Sequence, residues 1–429
     1  MDNAVFLNRS GAIVTQTTSS FIPALHIAPY FETVVLPVVS VDSSALYGDH
    51  PENLATLTYT SGAALTFFVD SVPGGNDSSG DGSADNPWRN MNTASKFLAC
   101  ASCTLRKAAP YIQLKVRGTV DYYIPGDWKP MGFDAQNFIL AGWGGRADLT
   151  SADAGYFVAG YFVDIECEWR HASCAVASNC RFVGSSGGSR VSSAVACEFR
   201  DAFDGRVPVL CDCSGGNLGT LSCAVVRGGA FEGGRNYELI YADWMYSTTA
   251  TAIGSRATAI MLQGAAVEVT AVASGSATSD GFALAIRCNG SGAYLKNCTL
   301  SAEAVASGVA SWGSASAVAV GGNPYRTVCV GGTYAASATA HLTHPTWATS
   351  AVAAAYVYSG GTGATCSGVQ TALFATASLV CSRPNGTGTV NEEESVYDFG
   401  ASCVESRWRK YSSGVLISAG GTSYGGLCQ

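Results

Sequence analysis

Val269–Ser279 (VTAVASGSATS), Thr299–Ser311 (TLSAEAVASGVAS), Thr333–His344 (TYAASATAHLTH) and Val369–Val380 (VQTALFATASLV) share one texture, with alanine at alternate positions among serine, threonine and valine. Their starts lie 30, 34 and 36 residues apart. Alanine alone suits a helix, but alanine set among Thr, Ser, Val and Gly at period two is a strand signal. The segments before them recur as well. Ala283–Cys288 (ALAIRC) leads through a turn at Asn289–Gly292 to Tyr294–Cys298. Ala317–Val320 leads through Gly321–Tyr325 to Cys329, and Ala355–Tyr358 through Ser359–Gly363 to Cys366. Each unit therefore reads as an apolar strand, a Gly/Asn turn, a cysteine-bearing strand and an alanine-alternating strand. Three short strands in roughly 30 residues predict one coil of a solenoid.

Such a coil cannot bury its apolar side chains alone. Stacked coils close a continuous interior, each strand hydrogen-bonding to its counterparts above and below. Small residues at one inward position let neighbouring coils stack without clash. Upstream, Cys180 (SNCRFVG), Cys197 (VACEFRD) and Cys223 (LSCAVVRGG) recur at separations of 17 and 26, and with Cys298 (KNCTL) they predict coils of irregular length that begin well before residue 269.

Composition narrows the function. Only 13% of the 429 residues are charged, 47% are hydrophobic, and glycine numbers 50. A charge-poor apolar chain is not intrinsically disordered. The 24 basic residues against 32 acidic ones, net charge −8, form no basic cluster, which argues against nucleic acid as a partner. The longest stretch free of Asp, Glu, Lys and Arg, Thr327–Ser382, is interrupted throughout by Gly, Ser, Thr, His and Pro, so no membrane span is predicted. The N-terminal MDNAVFLNRSGAIV lacks the basic and apolar regions of a secretory signal. With Met1 at its head, it leads to the expectation of cytoplasmic synthesis and export by another route, as within a virion, to a virion or extracellular surface.

Phe67–Leu98 reads FFVDSVPGGNDSSGDGSADNPWRNMNTASKFL: a strand, an acidic Gly/Asn/Ser loop, Asn-Pro-Trp and a short helix, followed by the strand Tyr111–Val120. This succession resembles the start of right-handed parallel β-helix proteins of the pectate-lyase-like superfamily, which includes bacteriophage tailspikes and many surface adhesins. The resemblance covers Phe67–Val120 by motif and continues to about Glu394 by texture. It implies an all-β single-stranded parallel β-helix with a capping helix, Met91–Ala101, in which Met91, Phe97 and Leu98 cover the apolar interior. It divides the chain into an N-terminal attachment or assembly segment (1–66), a strand, loop and capping helix (67–110), a β-helix body (111–395) and a C-terminal cap (396–429). It also implies a homo-oligomer, typically a trimer, whose N-terminal segment contacts other virion or surface proteins. The chain departs from many such appendages in lacking a long C-terminal trimerisation module.

Several constellations carry candidate chemistry, each beside a plainer reading. The sixteen cysteines are even in number, which suits a disulfide framework, yet several sit at matching strand positions as small buried hydrophobes do. Reduced, inward-facing thiols are the expectation. Asp77, Asp81 and Asp85 recur at four-residue steps among Gly and Ser, an oxygen-rich loop suited to Ca2+, or else a solvated turn capping its own backbone. Polysaccharide cleavage needs paired carboxylates. Asp164 and Glu166, with Glu168 beyond, fall on one face of a strand, and Asp201 and Asp204 follow Glu198 at a strand end. These four are the candidate catalytic residues; as polar exterior they are solvated surface. Trp128, Trp143, Trp169, Trp244, Trp312 and Trp347 lie in or beside predicted loops and strand ends, where aromatic faces stack on sugar rings, or else serve as core and cap. The sequence therefore leads to a virion appendage or adhesin binding a host glycan or protein receptor. Its rivals are a polysaccharide lyase or hydrolase on the same fold and a purely structural coat protein.

Overall fold

Strand-forming texture dominates the chain, and a computed structural model turns nearly all of it into parallel sheet. The structure describes residues 5–7, 13–15, 30–42, 55–72, 74–98, 109–122, 135–151, 156–184, 190–200, 205–233, 238–289, 293–309, 312–322, 328–330, 332–343, 350–358, 365–367, 372–382, 391–400, 403–412 and 415–425. The chain divides into two units, one of Met1–Ser40 with Thr56–Cys213, the other of Val41–Ala55 with Ser214–Gln429.

In the first unit, Ala64–Asp70 of the strand Ala55–Asp70 pairs in parallel with Tyr111–Arg117. Phe138–Gly142, Phe157–Val163, Ala172–Ser178, Arg190–Val195 and Val209–Cys211 follow in the same sheet. A second parallel sheet runs through Thr119–Tyr122, Ala147–Ser151, Ile165–Glu168, Arg181–Val183 and Glu198–Arg200. The coils are short. Ser173 lies opposite Val158 and Arg190, 15 and 17 residues away, and Ser193 opposite Val209, 16 away. Large side chains fill this interior: Phe138, Phe157, Phe162, Phe182 and Phe199 are fully buried. Phe182 and Phe199 stack with centroids 5.6 Å apart.

A single left-handed residue turns the chain from one sheet to the other. Asp164, Asn179, Ala196 and Asp212 have φ of 53°, 51°, 50° and 52°. Each of the first three donates its N–H across to the adjoining coil, to Ser178, Val195 and Cys211 carbonyls. Asn and Asp tolerate this conformation through their short polar side chains; Ala196 does so at a cost.

In the second unit the coils lengthen. Ser222 pairs with Tyr241, 19 residues on, and Thr249 with Thr270, 21 on. Thr270 then pairs with Thr299, Thr299 with Thr333, and Thr333 with Ala372, steps of 29, 34 and 39. The period-two alanines point inward as their alternation requires: Ala271, Ala273, Ala302, Ala304, Ala306, Ala336 and Ala338 are all buried. The facing strands Asp280–Cys288 and Trp312–Gly322 bury Ala283, Ala285, Ala315, Ala317 and Ala319, so small side chains from both sheets fill a thin interior. The three strands expected per coil are present: Asp280–Cys288, Tyr294–Lys296 and Thr299–Val309 stack on Trp312–Gly322, Val328–Val330 and Thr333–Thr343. The fourth alanine segment aligns from Ala372, three residues later than its texture indicates. Parallel pairing ends where Asn391–Gly400, parallel to Ser350–Tyr358, turns into an antiparallel meander with Cys403–Ser412 and Val415–Gly425.

Two details differ from the sequence reading. Coils in the first unit are about half the expected length. Cys223 also does not belong with Cys180 and Cys197; it lies mid-strand opposite Ala242, and the true counterpart is Cys213, one residue after the left-handed Asp212. Around residues 67–98, Phe67 stacks on Trp88 and both contact Phe97, while a helix over 91–98 buries Met91, Ala94 and Leu98. One further layer was not foreseen. Val34 and Leu36 of the strand Tyr30–Val41 pack against Ala64, Ile139 and Ala141 with Tyr111, Tyr161 and Val163, on the outer side of the first sheet. The opposite side of that strand leaves Phe31 and Val35 46% and 63% exposed.

Candidate functional site

The carboxylates singled out in the sequence sit on the outside of the second sheet of the first unit. Strand register places Thr119, Asp148, Glu166, Arg181 and Glu198 in one column. Arg181 stands between two acids, donating to Glu166 at 3.0 Å and to Glu198 at 2.9 Å. Arg146 reaches Glu198 at 3.3 Å and also donates to the Asn179 backbone and side-chain oxygens at 2.9 and 3.1 Å. Arg200 closes on Glu198 from its far side. The Arg181 guanidinium foremost, aided by Arg200, holds the Glu198 carboxyl below its ordinary range against the opposing effect of burial.

Asp164 does not join this row. It occupies the left-handed corner before Ile165–Glu168, and its carboxylate accepts from the Asn179 side-chain amide. Glu168 is exposed and pairs with Arg170 at 2.6 Å, with the buried His171 ring 3.8 Å away. Glu166 and Glu198 are thus ion-paired rather than sharing a proton, an arrangement suited to holding coils in register. Asp201 and Asp204 lie outside the described residues.

The acidic loop is organised by its own polar atoms. Asp77 accepts from the Arg89 and Asn90 backbone N–H groups at 2.9 and 3.0 Å and from the Asn90 amide. Asp81 accepts from Ser83 N–H at 2.9 Å, and Asp85 is exposed. Gly82, at φ 77°, lies under Trp88, whose indole N–H donates to Gly80 O at 3.0 Å. Among the described residues no three His, Cys, Asp or Glu side chains gather as a metal ion requires. Nor is any described helix long and apolar enough to cross a membrane.

The tryptophans divide. Trp143 lies 4.8 Å from the Phe68 ring, and the Arg117 guanidinium covers it at 4.1 Å. Arg117 also bonds the buried Asp70, and that bond foremost holds the Asp70 carboxyl below its usual range. Trp143 is therefore already occupied by its own chain. Trp244 is different. It projects from Glu238–Tyr246 on the same side as Tyr246, at a register shift where its ring lies against Gly264; a Cβ there would stand 2.9 Å from Cε2. Beside it Arg227 donates to Ala55 O at 3.1 Å, and Val225, Arg227, Trp244 and Tyr246 help line a cavity of about 10 Å³, room for one water. Trp169 opens the turn Trp169–His171 and Trp312 the strand Trp312–Gly322, their side chains outside the description; Trp128 and Trp347 lie outside the described residues altogether.

The basic members of the column, Arg146, Arg181 and Arg200, were missed because single charges scattered at 15–17-residue intervals form no local motif. Aligning the corners (DIEC, NCRF, ACEF) would have stacked Glu166, Arg181 and Glu198. No protein-family model, curated protein or solved structure matches the chain.

Proposed function

We propose that the chain is a surface or virion appendage: a right-handed parallel β-helix of the pectate-lyase-like kind, closed near its start by the helix over 91–98, that binds a host glycan or protein receptor. The observation that carries the reading is the outward pair Trp244 and Tyr246 beside Arg227 on a parallel sheet. Aromatic faces with an arginine at their rim are the side chains recognition surfaces favour, and a stiff solenoid loses little entropy in presenting them. The engagement of Glu166 and Glu198 by Arg181 supports binding over acid–base cleavage, because a carboxylate held ionised is a poor general acid. In this reading residues 1–66 attach the chain to a particle or surface, and assembly as a trimer multiplies weak contacts into avidity.

Incubation with candidate host polysaccharides and receptors tests it. Binding is expected, weakened about tenfold or more by Trp244→Ala, since aromatic anchors commonly contribute above about 1.4 kcal/mol. Appearance of new reducing ends or of ultraviolet-absorbing unsaturated products would replace the binder with a depolymerase. Absence of binding to any surface component would favour a purely structural coat protein.

A further inference from the structure

At the left-handed corner of the first unit, coil register brings three thiols into a row. Asn179 N–H bonds Val195 O and Ala196 N–H bonds Cys211 O, which aligns Asn179, Ala196 and Asp212 and therefore the residues after them, Cys180, Cys197 and Cys213. Their side chains are buried and unbridged. Each thiol donates back to the carbonyl two residues earlier, at 3.3, 3.4 and 3.3 Å. The Cys197 sulfur also lies within hydrogen-bonding reach of both neighbours. Neighbouring parallel strands stand about 4.8 Å apart, inside the Cα window for a disulfide and slightly beyond its usual Cβ spacing. The other described thiols of this unit lack such neighbours: Cys167 stacks between Leu149 and Phe182, Cys174 between Ala159 and Val191.

We infer that this row is an oxidative modification site at which Cys197 forms a coil-to-coil disulfide with Cys180 or with Cys213, one or the other in any single molecule. The oxidant is a small peroxide. It transfers one oxygen to a thiol, giving a sulfenic acid and one water; the adjacent thiol displaces that oxygen as a second water, and the S–S bond forms. Two S–H bonds and one O–O bond are consumed, and both protons end in water. Burial pushes the Cys180 and Cys213 thiols up, so bridging is slow near neutrality and quickens in alkali. The stretched Cβ spacing makes the bond easily reduced.

Hydrogen peroxide treatment of the full chain, alkylation after unfolding and non-reducing tryptic mapping provide the test; cleavage at Arg181, Arg190, Arg200 and Arg206 separates the three cysteines. Peptides joined through Cys180–Cys197 and through Cys197–Cys213 are expected, and a mild thiol should reverse both. Cys197→Ser should abolish both and leave Cys180 and Cys213 unjoined, two coils apart. Serine is suited to the place, because Thr248 fills the same corner position in the second unit and donates to Tyr246 O at 2.9 Å. Cys174→Ser should leave the pattern unchanged. Oxidation of the row to sulfinic or sulfonic acids without bridges, a Cys180–Cys213 bridge in Cys197→Ser, or full retention of all three thiols would overturn the inference; the wild-type map alone decides if the variant does not fold.

Discussion

Ala196 shows how much one backbone position asks of a side chain. It holds the left-handed conformation that Asn179 and Asp212 hold in adjoining coils, yet has no polar group to ease it. Ala196→Gly is therefore expected to stabilise the fold by about 1 kcal/mol, read as a higher urea midpoint at unchanged slope. The next position explains the cysteines. A corner carbonyl needs a donor inside an apolar shaft, and a thiol or a threonine hydroxyl supplies one in the space of a small hydrophobe. Burial pushes the Cys298 thiol up to about 11, consistent with inert structural thiols at neutral pH. That cysteines face inward was legible from their matching strand settings; their hydrogen-bonding role was not, because it depends on a φ sign that no residue type but glycine announces. Charge adds a pH dependence. Asp70 and Glu198 both have folded pKa values depressed below their unfolded ones, by Arg117 and Arg181 respectively. Depressed carboxyls contribute stability that is fully present above the ordinary carboxylate range and lost as pH falls through the folded values. Stability should hold from neutrality to about pH 5 and decline below it. Arg181→Gln should flatten part of that decline and cost about 1 kcal/mol at neutral pH, since it leaves Glu166 and Glu198 facing each other across a half-exposed column.

Strands carry the next level of the account. Where coils are long, alternation survives for eleven residues, as in Thr299–Val309 and Thr333–Thr343, and the inward alanine face was readable directly. Where coils are 15–17 residues, a corner interrupts alternation every few positions: Phe157, Ala159 and Phe162 point inward, then Ile165 and Cys167 after the turn at Asp164. No window long enough to show a period exists there, so the short coils had to be seen. The strand Tyr30–Val41 (YFETVVLPVVSV) was opaque for another reason: it is apolar on both faces, which a single sequence cannot distinguish from a core strand. Leu36, 2% exposed over the outer side of the sheet, is the keystone of that layer. Leu36→Ala should cost about 2–5 kcal/mol in chemical denaturation if the layer is integral to the fold. Gly82→Ala should also destabilise, by about 1–3 kcal/mol, because a methyl group at φ 77° would meet the Trp88 ring at 2.6 Å.

For the molecule as a whole, the controlling feature is stacking: a residue is defined by its column as much as by its neighbours in sequence. Columns explain why Glu166 and Glu198 are neutralised by an arginine 15 or 17 positions away, and why Thr249, Thr270, Thr299 and Thr333 stand in file despite separations that grow from 21 to 34. They also set what was legible of the candidate site. Tryptophan at strand ends flagged Trp143 and Trp244 alike; only the column separates a ring covered by its own Arg117 from one beside Arg227 and Tyr246. Stability in such a stack is built from nearest-neighbour contacts between coils, so a substitution inside one coil should loosen the coils on either side before distant ones. An experimental density map that resolves strands tests the stacking most directly. Asn179, Ala196 and Asp212 in one file, and Thr249, Thr270, Thr299 and Thr333 in another, at the about 4.8 Å strand repeat and with all strands of a file running the same way, is the result the account predicts. Antiparallel neighbours along either file, or files whose members fall on different faces, would contradict it.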